Sequence, residues 1–192
     1  MYGIQTEQDI MDLIKKDEWM MDLLRAVQSL SLPDCWVCAG FVRSKVWDAL
    51  HGFEKRTPLQ DVDVVYFDAD NTDWMDEKNM EQSLRTIKPD VPWSVKNQAR
   101  MHIRNGDSPY RSSTEAISKF TETATAVGVH LDSEDNLVLT APSGIEDLIH
   151  LVVRPTQYII DNVDAKGKAY EERVMKKKWE AQWYKLTIVH VL

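Results

Sequence analysis

Two aspartates one residue apart, Asp61 and Asp63, head the run Asp61-Val62-Asp63-Val64-Val65-Tyr66-Phe67. The β-branched and aromatic residues after them have the composition of a central strand. Side chains alternate along a strand, so both carboxylates leave one face and can meet a single divalent cation. Without a cation or hydrogen-bond donors, two such groups repel each other at the head of an apolar strand. The plain alternative is an acidic pair at an exposed strand end.

Upstream, Cys35 to Ala39 reads as a short buried strand, followed by Gly40 and a helix over Arg43 to Leu50 that stops at Gly52. A strand, a glycine turn and a helix together offer free backbone N–H groups and the positive helix end to a polyphosphate. Arg43, one turn in, suits a bidentate phosphate contact, although taken alone it reads equally as an exposed arginine.

The remaining elements must position these groups. Thr6 to Leu30 has helical spacing with Thr6 and Asp9 as a capping pair. Helices are predicted over Met75 to Ile87, Ser113 to Phe120, Gly144 to Leu151 and Lys168 to Tyr184. Trp93 to Met101 reads as a strand passing into a helix turn, and Ala126–Leu131 with Asn136–Thr140 as a hairpin. The order α-β-α-β-α-β-α-β-β-α-α describes an α+β fold in which helices pack on a mixed sheet.

The chain has 192 residues, 43% hydrophobic and 28% charged, which suits one domain with a full core, about 30–155, and a basic helix near 166–185. A net charge of -8 argues against extended DNA binding, which rests on neutralising phosphates. No apolar run of membrane length and no leader pattern is evident, so a cytoplasmic location and no membrane partner are expected. Cys35 and Cys38 have a spacing used in redox pairs and zinc sites, but no second ligand pair follows, so they are expected as buried strand cysteines. The seven tryptophans are expected as core and interface anchors.

From Lys88 to Arg111 stand five Lys or Arg (88, 96, 100, 104, 111) against Asp90 and Asp107. Lys96 and Arg100 are thereby candidates for phosphate or an RNA end, the alternative being an ion-paired surface. Asn97 and Gln98 suit a base or ribose contact, or a structural role beside a strand end.

The stretches Ala39-Gly40-Phe41-Val42-Arg43, Trp47-Asp48-Ala49-Leu50 and Asp61-Val62-Asp63-Val64 resemble the signature of DNA-polymerase-beta-like nucleotidyltransferases, in particular the head domain of CCA-adding enzymes and bacterial poly(A) polymerases. Those read Gly-Gly-x-Val-Arg-Asp, a leucine-rich helix, then Asp-hydrophobic-Asp. The runs Trp93 to His102 and Arg154-Pro155 resemble a family of small bacterial nucleotidyltransferase-like proteins of unassigned function. The resemblance implies a five-stranded mixed sheet with helices, Mg²⁺ or Mn²⁺ held by Asp61 and Asp63, and a nucleoside triphosphate such as ATP with its phosphates at Ala39, Gly40 and Arg43.

Three departures stand out. Ala39 replaces the first glycine of the usual pair, and Ser44 replaces the Asp after Val-Arg, with Asp48 a turn further on and not expected to take its place. Full members carry a third carboxylate on a later strand, where this chain reads Trp93-Ser94-Val95-Lys96-Asn97-Gln98, flanked by Asp90 and Asp107. The expected activity is nucleotidyl transfer from a nucleoside triphosphate to an acceptor left open, a small molecule, a protein or an RNA end. The alternative is a nucleotide- and metal-binding module of the same fold without turnover. A structural or oligomerisation role would leave Asp61 and Asp63 without a reason. Only about forty residues follow the head-like region, so a small acceptor, or a partner supplying missing parts, is expected over tRNA processing.

Overall fold

The computed structural model describes residues 3–192. It opens with two helices, α1 (Glu7–Lys15) and α2 (Glu18–Gln28), where one long helix is predicted. The break is at Asp17, whose extended backbone and carboxylate cap α2 through the Met20 N–H at 3.1 Å. That carboxylate also accepts from Lys45 and Arg56, both at 2.7 Å, so the break is anchored in three places. Thr6 and Asp9 form the predicted capping box.

The sheet follows the order β3-β2-β1-β4-β5, with β1 (Trp36–Cys38), β2 (Val62–Tyr66), β3 (Trp93–Asn97), β4 (Gly128–Leu131) and β5 (Leu137–Thr140). β2 and β3 run parallel, and the other neighbours are antiparallel, so the five-stranded mixed sheet expected from the resemblance is present. The predicted hairpin is β4–β5. Helix α3 (Gly40–His51) leaves β1 directly, starting three residues earlier than predicted. Helices α4 (Trp74–Ile87), α5 (Gln98–Asn105) and α6 (Ser113–Ser118) complete the middle of the chain, α5 continuing straight from β3.

The two faces of the sheet differ. Val37, Val62, Val64, Val95 and Val129 enter a large core with α1, α2, α3 and the aromatic side chains Trp47, Trp179 and Trp183. Cys38, Ala39 and Val65 lie in a small separate cluster with Ile117 and Ala126. Alternation therefore sends Asp63, between Val62 and Val64, to the thinly covered face.

Past β5 come α7 (Glu146–Ile149), α8 (Gln157–Asp161), α9 (Val163–Lys177) and α10 (Trp179–Gln182). The predicted helix over 168–184 is thus split at Lys178, which takes a left-handed φ of 46°. A parallel pair, β6 (Val152–Val153) with β7 (Thr187–Ile188), ties the tail back, and it carries no sequence signal because each strand is two residues long. The cysteines are free. Cys38 is fully buried as expected, while Cys35 precedes β1 and is half-buried. Trp19 and Trp74 depart from the anchoring role expected of them and lie exposed.

Candidate functional site

Asp61 sits exposed just before β2, and Asp63 stands two residues into the fold's thinly covered face. Burial first, and then the charge of Asp61, push the Asp63 carboxyl up to about 6, with the Ser94 hydroxyl holding it partly down. Ser94 is its register partner on β3. Among the described residues neither aspartate is in an ion pair, so their oxygens are open to a hard cation, which takes oxygen ligands. Cys38, opposite Asp63 on β1, does not make this a soft-metal site, since full burial and the nearby carboxylates push its thiol well above the usual range.

The head of α3 faces this pair. Side chains cap α1, α2, α4, α5 and α6, whereas among the described residues none caps α3 or the later helices α7 to α10. Val42 and Arg43 donate to Ala39 O at 3.2 and 2.9 Å, which leaves the amides of Gly40 and Phe41 to a ligand or water. The residue that needs conformational freedom is Ala39 rather than Gly40: Ala39 has φ 57° and ψ -121°, held by its N–H on Val127 O at 2.9 Å. A Cβ on Gly40 would meet Arg43 Nη2 at 3.6 Å, an ordinary contact.

Arg43 is only 7% exposed and, among the described residues, has no carboxylate partner. One Nη donates to Thr125 Oγ1 at 2.7 Å, and the guanidinium lies over the Trp47 and Trp179 rings at 5.1 and 4.7 Å. Its Nε has no partner. Burial lowers this group to about 10, with Glu122 opposing the shift, so the arginine remains a cation at neutral pH. A buried cation with an unused donor, beside two carboxylates and an uncapped helix, is arranged for an anion bridged to a cation.

Helix α9 supplies further charge that the sequence pattern alone did not direct. Arg173 Nε donates to the fully buried Glu122 Oε1 at 2.7 Å, while Glu122 Oε2 has no partner. Lys177 donates to Gln60 Oε1 at 2.7 Å, and burial lowers its pKa while Asp61 and Asp63 raise it. Two clefts flank the site. One, of about 520 Å³, is lined by Gly40, Arg43, Ser44, Asp61, Lys177 and Trp179 among others. The second, of about 430 Å³, lies over the open sheet face and includes Ala39, Asp63, Lys96, Thr125 and Arg173.

Other sequence candidates lie apart from this group. Arg100 makes two 2.6 Å hydrogen bonds to Glu77, and Lys96 pairs with Glu81 at 3.2 Å and Glu77 at 3.7 Å while still lining the second cleft. Lys88 and Arg111 are also ion-paired, the alternative left open for that basic stretch. Asn97 is fully buried, caps α5 and bonds Asp68 and Asn71, a structural role, while Gln98 lines the second cleft. Asp48 bonds Thr57 and Trp183 and takes no part in the site. Asp90 is exposed, and Asp107 lines the second cleft but accepts from Tyr110, Tyr158 and Lys166. Among the described residues no three His, Cys, Asp or Glu side chains gather for a metal, so neither acid completes a three-carboxylate set.

Comparison with known proteins bears on the family and the fold. A family model described as nucleotidyltransferase matches residues 25–188. A protein whose NMR structure reveals a CCA-adding enzyme head domain is 32% identical, with TM-score 0.88 and 99% of each chain covered. A CCA-adding enzyme in complex with ATP is 16% identical with TM-score 0.55, covering 92% of this chain and 40% of the enzyme. The Thermotoga maritima CCA-adding enzyme with tRNA is 16% identical with TM-score 0.52, covering 94% and 42%. The chain thus spans about two fifths of those enzymes, and the likeness to them is one of fold. No curated protein matches. No helix among the described residues is long and apolar enough to cross a membrane. With the family model spanning most of the chain and a relative 32% identical over 99% of it, this protein belongs to the nucleotidyltransferase family.

Proposed function

We propose that this protein transfers a nucleotidyl group from a nucleoside triphosphate to a hydroxyl acceptor, using Mg²⁺ or Mn²⁺ at Asp61 and Asp63. The observation that carries the reading is Arg43, a buried cation with an unused donor, set between an uncapped helix head and two unpaired carboxylates. The first-turn amides of α3 and the Arg43 guanidinium bind the phosphates, and Lys177 closes the same cleft from α9. Asp61 and Asp63 would hold a divalent cation, which would supply neutralisation of charge on the departing pyrophosphate. The acceptor oxygen forms the new bond to the α-phosphorus as the bond to the β-bridging oxygen breaks. Pyrophosphate leaves with that electron pair, and the acceptor proton passes to water. The protein contributes position and electrostatics rather than covalent chemistry.

A second reading is a nucleotide-binding module without turnover. It is favoured by Ser94, a hydroxyl and not a carboxylate, standing opposite Asp63. Titration with each nucleoside triphosphate and Mg²⁺, followed residue by residue by NMR, separates the cases, with an Asp61→Asn, Asp63→Asn variant as control. Signals of Gly40, Arg43, Asp61 and Asp63 should move in the wild type, and those of Gly40 and Arg43 should move far less in the variant. No movement in the wild type sinks both readings, and binding without pyrophosphate release across many acceptors selects the module.

A further inference from the structure

Nucleotidyl transfer at this site turns on one guanidinium, so what fixes that group decides what it can grip. Arg43 Nη1 donates to Thr125 Oγ1 at 2.7 Å, and a Cβ on Gly40 would stand 3.6 Å from Nη2. The side chain therefore folds back on its own helix head, with Nη1 tied and Nη2 beside Gly40. Thr125 is its one hydrogen-bond partner among the described residues. Contact with the Trp47 and Trp179 rings is less directional than a hydrogen bond, so the hydroxyl sets the direction of the group.

Thr125 is in turn held by Glu122. The Glu122 carbonyl accepts from Thr125 N and Ala126 N, both at 3.0 Å, and so starts the short turn Thr123–Thr125. Its carboxylate is fully buried and takes Arg173 Nε at 2.7 Å, which pins the turn to α9. Arg173 also lies 5.6 Å from the centroid of the Trp179 ring, the ring that Arg43 covers from 4.7 Å. Burial works against the Arg43 cation, and of the surrounding charges Glu122 does most to sustain it, yet the ion pair of Glu122 is with Arg173. Direction and charge thus come from different groups. A carboxylate in contact with Arg43 would compete with phosphate for the same donors, whereas a neutral hydroxyl aims the group and leaves its charge for a ligand.

We propose that Thr125 and Glu122 are positioning residues for nucleotidyl transfer. The Thr125 hydroxyl aims Arg43 so that Nη2 meets the triphosphate at the head of α3, and Glu122 holds that hydroxyl in place through the turn it starts and the arginine it pairs with on α9. The inference rests on the nucleotidyl-transfer reading above and adds to it the groups that fix its phosphate-binding arginine. Neither residue touches the substrate, and both act through Arg43.

The test titrates the full chain with ATP, and separately with inorganic triphosphate, in Mg²⁺, followed by NMR of the Gly40 amide and the Arg43 guanidinium. Thr125→Val should weaken binding about tenfold, the scale of a charge-assisted hydrogen bond, and Thr125→Ser should recover most of it. The Arg43 Nη signals, distinct in a fixed guanidinium, should merge in Thr125→Val and stay distinct in Thr125→Ser, an order that loss of packing alone would not produce. In an Arg43→Met background Thr125→Val should cost no further affinity, and this comparison decides the matter if Thr125→Val alone does not fold. Glu122→Gln should also weaken binding, whereas loss of a mere bystander charge would tighten the binding of an anion. Wild-type affinity in Thr125→Val, a further loss in the Arg43→Met background, or tighter binding in Glu122→Gln overturns the positioning role and leaves nucleotidyl transfer standing. No response of the wild-type Gly40 amide to either phosphate compound removes both.

Discussion

Strands β2 and β3 lie side by side, and each carries charge that ends in a different state. On β3, which forms one edge of the sheet, the outward N–H groups of Val95 and Asn97 would be left open to another strand. Glu81 and Glu77 from α4 reach over and accept from them at 3.1 and 2.9 Å. The same carboxylates take Lys96 and Arg100, so donors and acceptors are matched and the edge is closed. At the head of β2, among the described residues, Asp61 and Asp63 have no cation of their own, and nearby Arg43 keeps a free Nε and Glu122 a free oxygen. The first cluster is matched within the protein; the second, among the described residues, keeps polar atoms without partners.

The largest effect should come from breaking the matched cluster. Glu77 is 1% exposed and accepts two guanidinium hydrogen bonds besides the Asn97 N–H. Glu77→Ala leaves a cation and an edge amide without partners and should cost about 3 kcal/mol or more in chemical denaturation. Glu77→Gln keeps part of the geometry and should cost less. Neither should change the fold-increase in stability that Mg²⁺ and a triphosphate produce, and a loss of that response would mean that the two clusters are one.

Arg43→Met should give the opposite profile. The variant removes a buried cation that lacks a carboxylate partner, so stability should hold or rise, by up to about 1 kcal/mol. Triphosphate affinity should fall at least tenfold, on the scale of a charge-assisted hydrogen bond of about 1.5–3 kcal/mol. A large loss of stability with unchanged affinity would place Arg43 among the structural groups.

The unmatched cluster also sets a pH dependence. The Asp63 carboxyl is raised from 3.8 to about 6, so the folded state holds its proton more tightly than the unfolded chain does. The associated stabilisation is fully present below about 3.8 and is lost as pH rises through about 6. Without divalent cation, this group should make the protein less stable at pH 7 than at pH 5. Asp63→Asn should flatten that part of the profile, and Mg²⁺ should raise stability at pH 7 in the wild type only. An identical profile in the variant would show that the carboxylate is not strained.

The sequence disclosed the unmatched cluster better than the matched one, for a physical reason. Asp61, Asp63, Gly40 and Arg43 lie within 24 residues, and their relations follow from strand alternation and one turn. The sheet and hairpin were legible from the same periodicities. Glu77 and Glu81 are ordinary acids on an amphipathic helix, and only the parallel pairing of β3 brings them to Lys96 and Arg100. Arg173 and Lys177 come to the site through α9, and Arg173 there meets Glu122 from the segment before β4; the docking of α9 depends on Tyr170 meeting Val189 O at 2.5 Å and on the β6–β7 pair. No local pattern encodes those contacts. The split of the first predicted helix was missed because Asp17 acts through Lys45 and Arg56, partners 28 and 39 residues away.

The smallest expected effect concerns the turn between β1 and α3. Ala39 has φ 57° and ψ -121°, a region where a side chain is strained by about 1–3 kcal/mol and glycine is not. It persists there because its N–H bonds Val127 O and its carbonyl accepts from Arg43 N, both at 2.9 Å, fixing the residue between β4 and α3. Ala39→Gly removes the strain but widens the unfolded ensemble, which offsets about 0.4–1 kcal/mol. The net should be a stabilisation of about 1 kcal/mol, read as a higher denaturation midpoint at unchanged slope. Loss of the Cβ also leaves the α3 amides more open, so triphosphate affinity should hold or rise. Destabilisation by Ala39→Gly would mean that the methyl packing with Cys38, Val65 and Ile117 outweighs the backbone term, and the turn would then belong with the matched parts of the molecule rather than with the site.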